Sequence, residues 1–119
     1  MKRNMDLIRD ILLSIEDLPP SGPHQTLSVH GDWNDAEVTG HLRLVRDAGL
    51  VDGTIEFYGD DLLIAIYGLS NEGHDLLDSI RDDQVWEKTK SEVGKVGGSV
   101  AIETLKAVAT AVAAKILGL

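Results

Sequence analysis

The sequence predicts an α+β fold in which a two-stranded hairpin packs beside helices, with additional helices towards the C-terminal end. In several segments apolar residues recur every three or four positions, the spacing that places them on one face of a helix. Two β-branched and aromatic runs, Leu50–Tyr58 and Leu62–Tyr67, are separated by Gly59-Asp60-Asp61, a pattern typical of a hairpin. The chain has 119 residues, 43% of them hydrophobic, which is enough for one hydrophobic core.

The first predicted helix begins after Asn4, whose side chain can cap it, and ends by Leu18 because two prolines follow. Residues 19–24 are then expected to form a loop, and the weak alternation of residues 25–29 (QTLSV) predicts a short strand. The apolar face of this helix consists of Met5, Ile8, Leu12 and Ile15.

The second predicted helix spans about residues 35–48, with Asn34 or Asp32 as its cap. Gly49 is expected to end it, because glycine adopts the left-handed conformation that terminates a helix. The apolar side of the helix consists of Val38, Leu42 and Val45.

Three more helix signals follow the predicted hairpin. Ser70 can cap a third helix, and Asp82 or Asp83 can start the next one. Gly97-Gly98-Ser99 breaks the chain before a last helix at about residues 100–117.

The order helix, short strand, helix, hairpin, helix predicts a winged-helix-like body over residues 1–82, with the hairpin as its two-stranded wing. A complete helix-turn-helix needs a further helix just before the recognition helix. Residues 19–33 are poor helix formers, so the helix-turn-helix is degenerate. Residues 83–119 are then expected to be a C-terminal helical extension that associates.

Two stretches resemble the recognition helix and wing of bacterial winged-helix regulators. In DAEVTGHLRLVRDAGLVDG (35–53) the shared pattern is HLxxLxxAGLV, with Val45 at the second Leu, and LSNEGHDLL (69–77) is similar to a closing LTxxGxxLL. More narrowly, the chain resembles an uncharacterised domain-of-unknown-function family of small bacterial and prophage proteins with a winged-helix core. The stretches MKRNMDLIRDILLSIE, LSNEGHDLLDSIRDDQVWEKTK and VGGSVAIETLKAVA carry that match. The resemblance implies a fold and a phage or mobile-element origin, and no settled activity.

One possible use of the second helix is to bind DNA. Thr39, Arg43 and Arg46 share the side opposite its apolar face, and arginine can hydrogen-bond guanine edges or phosphates with two N–H groups. Lys2 and Arg3 can add phosphate contacts if they lie near Arg43.

The charge of the chain opposes DNA binding. Affinity for DNA comes largely from basic residues that displace counterions, whereas the net charge here is −9. Residues 1–59 hold five basic and ten acidic residues, residues 60–98 four and nine, and residues 99–119 two and one. Asp60 and Asp61 would also bring two carboxylates to the wing tip, close to phosphate.

No motif for catalysis, a cofactor or a metal ion is recognised. The four histidines lie on different predicted elements without the spacing of a zinc site, and the chain has no cysteine. The sequence therefore predicts a non-enzymatic protein without a cofactor or bound metal. No signal-peptide pattern opens the sequence, and no run approaches about 18 uncharged apolar residues. We therefore expect no membrane span and a cytoplasmic location.

The last predicted helix carries an apolar stripe at heptad spacing, which must be buried. It can pack onto the chain's own core, or it can serve self-association or capture of a partner's helix. The first functional hypothesis is an interaction protein that self-associates or binds a partner protein through this last helix. The alternative is a DNA-binding regulator that uses the 35–48 helix and the 50–67 wing. An acidic mimic of DNA is a third possibility. The stripe consists of Ile102, Leu105, Ala109, Val112 and Ile116.

Overall fold

Five helices and one antiparallel hairpin make up the described part of the protein. The computed structural model describes residues 1–19, 27–58, 61–95, 97 and 100–118, with only the backbone of residues 57–58 and 61–64. This mixed α+β architecture confirms the predicted fold class, and it is compatible with a winged-helix-like body carrying C-terminal helices. The elements are α1 (Met5–Glu16), α2 (Asp35–Asp47), β1 (Val51–Tyr58), β2 (Asp61–Leu69), α3 (Asn71–Ile80), α4 (Asp83–Gly94) and α5 (Ile102–Leu117).

Four of the helices begin at side-chain caps that the sequence predicts. The Asn4 side chain accepts a hydrogen bond from the backbone N–H of the third residue after it, as do Asn34 and Ser70. Asp82 accepts from the backbone N–H groups of both Gln84 and Val85. Among the alternatives left open, Asn34 rather than Asp32 caps α2, and Asp82 rather than Asp83 caps α4.

The structure corrects the predicted short strand at residues 25–29. Its described part, residues 27–29, forms no strand, since the hairpin is the only sheet in the described residues and pairs β1 with β2. The rest of that predicted strand, residues 20–24 of the predicted loop and residues 59–60 of the predicted turn lie outside the described residues. The last helix starts at Ile102, two residues later than predicted.

The hairpin is antiparallel along its length, from the pair Val51 and Leu69 to the pair Tyr58 and Asp61. Gly49 precedes it with φ of 73°, the left-handed conformation predicted for the residue that ends α2.

Helix α1 lies at the centre of the core and contacts α2, β2 and α3. Its side chains Leu7, Ile8, Ile11 and Leu12 are fully buried, because one wide face of the helix is apolar apart from the buried Ser14. The other elements each contribute their own apolar face to the same cluster, through Leu42, Val45, Ile55, Ile66, Leu76, Leu77 and Ile80.

The C-terminal helices contribute to this core, and a smaller buried cluster of Val85, Val112 and Ala113 lies between them. Trp86 and Val93 of α4 and Leu105 and Ala109 of α5 belong to the same buried cluster as α1. The predicted boundary after residue 82 coincides with the N-cap of α4, but hydrophobic contact continues across it. No helix within the described residues is long and apolar enough to cross a membrane.

Candidate functional site

Helix α2 carries the arginines predicted to contact DNA, and Arg46 is engaged within the fold. Its Nη1 donates to the carbonyl oxygen of Ile55 at 2.9 Å, and its Nε donates to Asp47 at 2.9 Å. The first bond joins the end of α2 to β1. Part of the guanidinium is therefore used to hold the hairpin against the helix.

Arg43 and Thr39 lie on the outer side of α2 in an acidic setting. Arg43 is exposed and Thr39 is half-buried, while Asp35 and Asp47 are exposed on the same helix. Asp60, which the sequence predicts at the wing tip, lies outside the described residues, and so does the side chain of the neighbouring aspartate in β2. The described surface around Arg43 is therefore mixed in charge rather than basic.

The N-terminal pair Lys2 and Arg3 lies beside the C-terminal helices. Arg3 Nη1 donates to the carbonyl oxygen of Val100 at 3.3 Å. Both residues line a small cavity of about 340 Å³ that also includes Asp6, Glu37 and Lys90. Glu37 stands in the first turn of α2, six residues before Arg43, and brings a carboxylate to this cavity. The cavity holds both signs of charge, which does not suit a phosphate site.

Two stretches of the sequence resemblance, AGLV (48–51) and LSNEG (69–73), are hydrogen-bonded to each other at the base of the hairpin. The Ser70 N–H donates to the carbonyl oxygen of Leu50 at 3.0 Å. The Ser70 hydroxyl donates to the carbonyl of Gly49 at 2.6 Å and accepts from the N–H of Gly73 at 3.1 Å. This part of the motif therefore connects α2, both strands and α3, which is a structural role.

His41 also has a structural role, in which it joins α1 to α2. The ring is 1% exposed, and its Nε2 accepts the backbone N–H of Asn4 at 2.8 Å. Its Nδ1 lies 2.8 Å from the carbonyl oxygen of Glu37. Because an N–H only donates and a carbonyl only accepts, the ring carries its proton on Nδ1. No group of residues within the described ranges is arranged to hold a metal ion.

Trp86 anchors α4 on α1. Its indole N–H donates to Asp6 at 2.8 Å, and the charged groups of Arg9 and Lys90 each lie 5.7 Å from the centre of its ring. Burial alone would lower the pKa of Lys90, but hydrogen bonds to Asp6 and Glu87 outweigh it and raise that pKa. These contacts fix the orientation of α4, against which α5 packs.

The predicted interface stripe of α5 faces mainly inwards. Ile102, Leu105, Ala109 and Val112 are between 0% and 9% exposed, whereas Ile116 is 40% exposed. Four of the five residues therefore contact the chain's own α3, α4 and core. An interface between molecules at this stripe stays a prediction. Of the five stripe residues, Ile116 alone is exposed to solvent.

A second surface of α5 is more accessible. Between α4 and α5 an open groove of about 660 Å³ lies on the outside of the protein, and we term it the α4–α5 groove. Its apolar lining is Val93, Val100, Val108, Ala111, Val112 and Ile116, and its polar lining is Lys88, Glu92, Thr104 and Lys115.

The charged residues that α4 contributes to this groove form ion pairs with neighbouring residues of the same chain. Glu92 lies 3.1 Å from both Lys88 and Lys95. Hydrogen bonds from Lys95 and then from Lys88 hold the pKa of Glu92 below its ordinary value. Lys115, on the α5 side, has no ion pair among the described residues.

Sequence reasoning named only Val112 and Ile116 of this groove and missed its other lining residues, including Thr104, Ala111 and Lys115 of α5. The signal was present, since Thr104, Val108, Ala111 and Lys115 recur at intervals of four, three and four residues. It was obscured because α5 is apolar on most of its circumference, so a second stripe competes with the one that faces the core.

Most of the chain is similar to known proteins. The family described as "Hypothetical protein (DUF2513)" matches residues 2–99. A protein of Haemophilus influenzae described as "Uncharacterized protein" is 29% identical over 117 residues, covering 98% of this chain and 99% of the relative. No solved structure matches the chain.

Proposed function

The chain belongs to the DUF2513 family, and we propose that it is a non-enzymatic interaction protein whose α4–α5 groove binds a helix of another polypeptide. The observation that carries this proposal is the groove itself, whose lining combines five aliphatic side chains and an alanine with charges at its edges. An amphipathic helix binds such a surface by placing its apolar face in the groove and its polar face in water.

The exposed end of α5 supports the same proposal. Ile116 and Leu117 are 40% and 44% exposed, although large aliphatic side chains are usually buried. Ile116 lies in the groove lining, so its remaining apolar surface becomes covered when a helix binds. Val108 is half-buried and gains burial in the same way.

DNA binding through α2 and the hairpin is the alternative function, and it has less support. The chain carries a net charge of −9, and Arg46 donates to a backbone carbonyl of β1. We expect no retention of duplex DNA in a filter-binding assay at about 100 mM salt, because counterion release needs clustered basic residues. Retention that is lost in R43A would favour the alternative.

Site-specific photo-crosslinking in cells tests the proposed groove. A photoreactive amino acid replaces Ala111, which is exposed in the groove, and in a matched variant it replaces Ala36, which is exposed on α2. We expect an adduct of one defined mass from position 111, absent from position 36 and lost when V108D is added. Mass spectrometry identifies the crosslinked polypeptide.

No adduct from position 111, or equal adducts from both positions, would contradict the proposed groove. The phage or mobile-element origin implied by the sequence resemblance stays a prediction, which the genes flanking the coding sequence can test. The cytoplasmic location also stays a prediction, which cell fractionation can test.

A further inference from the structure

We propose that the α4–α5 groove is occupied by a second copy of this chain, with the two α5 helices antiparallel and related by a twofold axis. This inference rests on the proposed function, since it names the helix that the groove binds. Three properties of α5 carry it: the spacing of its outer residues, their sizes and the positions of its charges.

The spacing gives α5 a seam that can pair with itself. Thr104, Val108, Ala111 and Lys115 all line the groove and follow one another at intervals of four, three and four residues. This is the spacing of residues that stay at the contact line when two helices coil around each other. In an antiparallel pair centred between residues 109 and 110, Val108 lies opposite Ala111 of the second copy, and Thr104 lies opposite Lys115.

The sizes of the side chains fit this pairing. Each central layer contains one valine and one alanine, so a large side chain meets a small one in both layers. Ala107 and Ala114, which flank the seam, are also exposed and small, so they let the two backbones approach closely. Interaxial distances of about 8 Å require small residues at the contact.

The charges select the antiparallel orientation. Lys115 has no ion pair among the described residues, and Glu103 is 85% exposed, with a long contact of 3.6 Å to Lys106. In the antiparallel pair Lys115 lies beside Glu103 of the second copy, and the twofold axis repeats the pair at the other end. A parallel pair would instead place like charges together. Within one chain the two residues are about 18 Å apart along the helix, too far for an ion pair.

The ends of α5 complete the contact. In the antiparallel pair Ile116 and Leu117, both partly exposed, approach the start of α5 in the second copy, where Val100 lines the groove. The helix has 16 residues and is about 24 Å long. A standard protein–protein interface buries at least about 1,200 Å² of surface. A contact between two helices of this length buries less, so we expect a weak, concentration-dependent dimer.

Sedimentation equilibrium of the purified full chain over a range of concentrations tests this arrangement. We expect the unmodified chain to approach dimer mass at the highest concentration. A111E, which places a carboxylate in the centre of the seam, is expected to remain monomeric, and the matched variant A36E on α2 is expected to dimerise normally. Circular dichroism establishes that each variant is folded.

Charge reversal tests the orientation with substitutions at exposed positions that leave the core unchanged. K115E and E103K are each expected to weaken dimerisation about tenfold, because each turns two attractive pairs of the dimer into repulsive ones. The double variant E103K/K115E restores both pairs and is expected to dimerise within about twofold of the unmodified chain.

Three results would overturn the inference: an unmodified chain that is monomeric at every concentration, dimers that tolerate A111E, or a double variant no tighter than the single ones. These outcomes are distinct from failure of the proposed function. A monomeric chain that crosslinks from position 111 to a different protein keeps the groove as a helix-binding site and rejects the second copy as its occupant.

Discussion

At the scale of single residues, the polar side chains of this protein mainly join one element to another. Arg9 of α1 donates to the carbonyl oxygens of Ile80 and Arg81 at the end of α3, at 3.0 and 2.8 Å. Its Nη2 also lies 2.9 Å from Asp83 at the start of α4. Arg81 in turn forms two hydrogen bonds with Glu16, at the other end of α1. These contacts hold the α3–α4 junction on α1 and so position the groove.

The hydrogen bond from the Asn4 N–H to His41, which connects α1 to α2, predicts that His41 contributes to stability. In H41A the partly buried N–H of Asn4 loses its acceptor, and we expect the free energy of unfolding to fall by about 1–3 kcal/mol. Urea unfolding measures the change, and H74A at the exposed histidine of α3 is the matched control, expected within about 0.5 kcal/mol of the unmodified chain. Equal effects of the two substitutions would refute the role given to His41.

The pairing of Glu16 with Arg81 predicts a specific dependence on pH. Hydrogen bonds from Arg81 hold the pKa of Glu16 below its ordinary value of 4.5, so the carboxylate stabilises the fold above that pH. This contribution is lost as the pH falls through the lower pKa of the folded state. We expect E16Q to be less stable by about 1 kcal/mol or less at pH 7, since Arg81 is partly exposed.

Chemical unfolding of E16Q and the unmodified chain from pH 7 down to pH 3 checks this pH dependence. The difference in stability between them is expected to shrink as the pH falls below 4.5. A difference that stays constant, or grows, on acidification would show that the ion pair does not stabilise the fold.

At the scale of elements, helix boundaries could be predicted because their signals are local. Asn4, Asn34, Ser70 and Asp82 each satisfy a backbone N–H within three residues, so the sequence around each cap contains the whole interaction. The strand predicted at residues 25–29 was wrong in its described part, because a strand depends on a partner that is distant in sequence.

The packing of α5 could be predicted only in part. Its sequence contains two apolar stripes, and nothing local decides which of them faces the core. The structure shows that Leu105 and Ala109 are buried, while Val108 and Ala111 line the groove. That choice depends on the shapes of α3 and α4, which sequence periodicity does not describe.

The surroundings of two glycines predict opposite effects of alanine. A Cβ at Gly73 would overlap the carbonyl oxygen of Leu50, so G73A is expected to destabilise the protein by about 1–3 kcal/mol or more. Gly94, at the end of α4, has nothing within 4 Å of its Cβ position, and G94A is expected to stabilise by up to about 1 kcal/mol. Thermal unfolding compares the two, and a G73A variant as stable as G94A would contradict the packing.

At the scale of the whole molecule, one hydrophobic core extends from α1 to α5 while the surface is strongly acidic. Helix α1 contacts the hairpin side directly and holds α4 through Trp86, so the C-terminal helices complete the core instead of extending freely from it. The outer face of α5 carries exposed small and apolar residues between Glu103 and Lys115, on a chain whose net charge is −9.

The continuous core predicts that the chain unfolds in a single transition. L105A removes buried side-chain volume between α5 and the core, and we expect it to destabilise the whole chain by about 2–5 kcal/mol. Hydrogen exchange followed by mass spectrometry checks this, with amides of α1 and α5 expected to lose protection together. Faster exchange confined to residues 83–119 would instead indicate that these residues form a separate unit.

The central claim, that the outer face of α5 binds a helix, is tested most directly by the accessibility of that face in cells. The chain has no cysteine, so A111C in the groove and A36C on α2 each introduce a single thiol, and their rates of maleimide labelling can be compared in cells and in dilute purified protein. We expect A111C to label several-fold more slowly in cells than in dilute solution, while A36C labels at similar rates in both. Equal protection of the two thiols, or no protection of A111C, would contradict the claim.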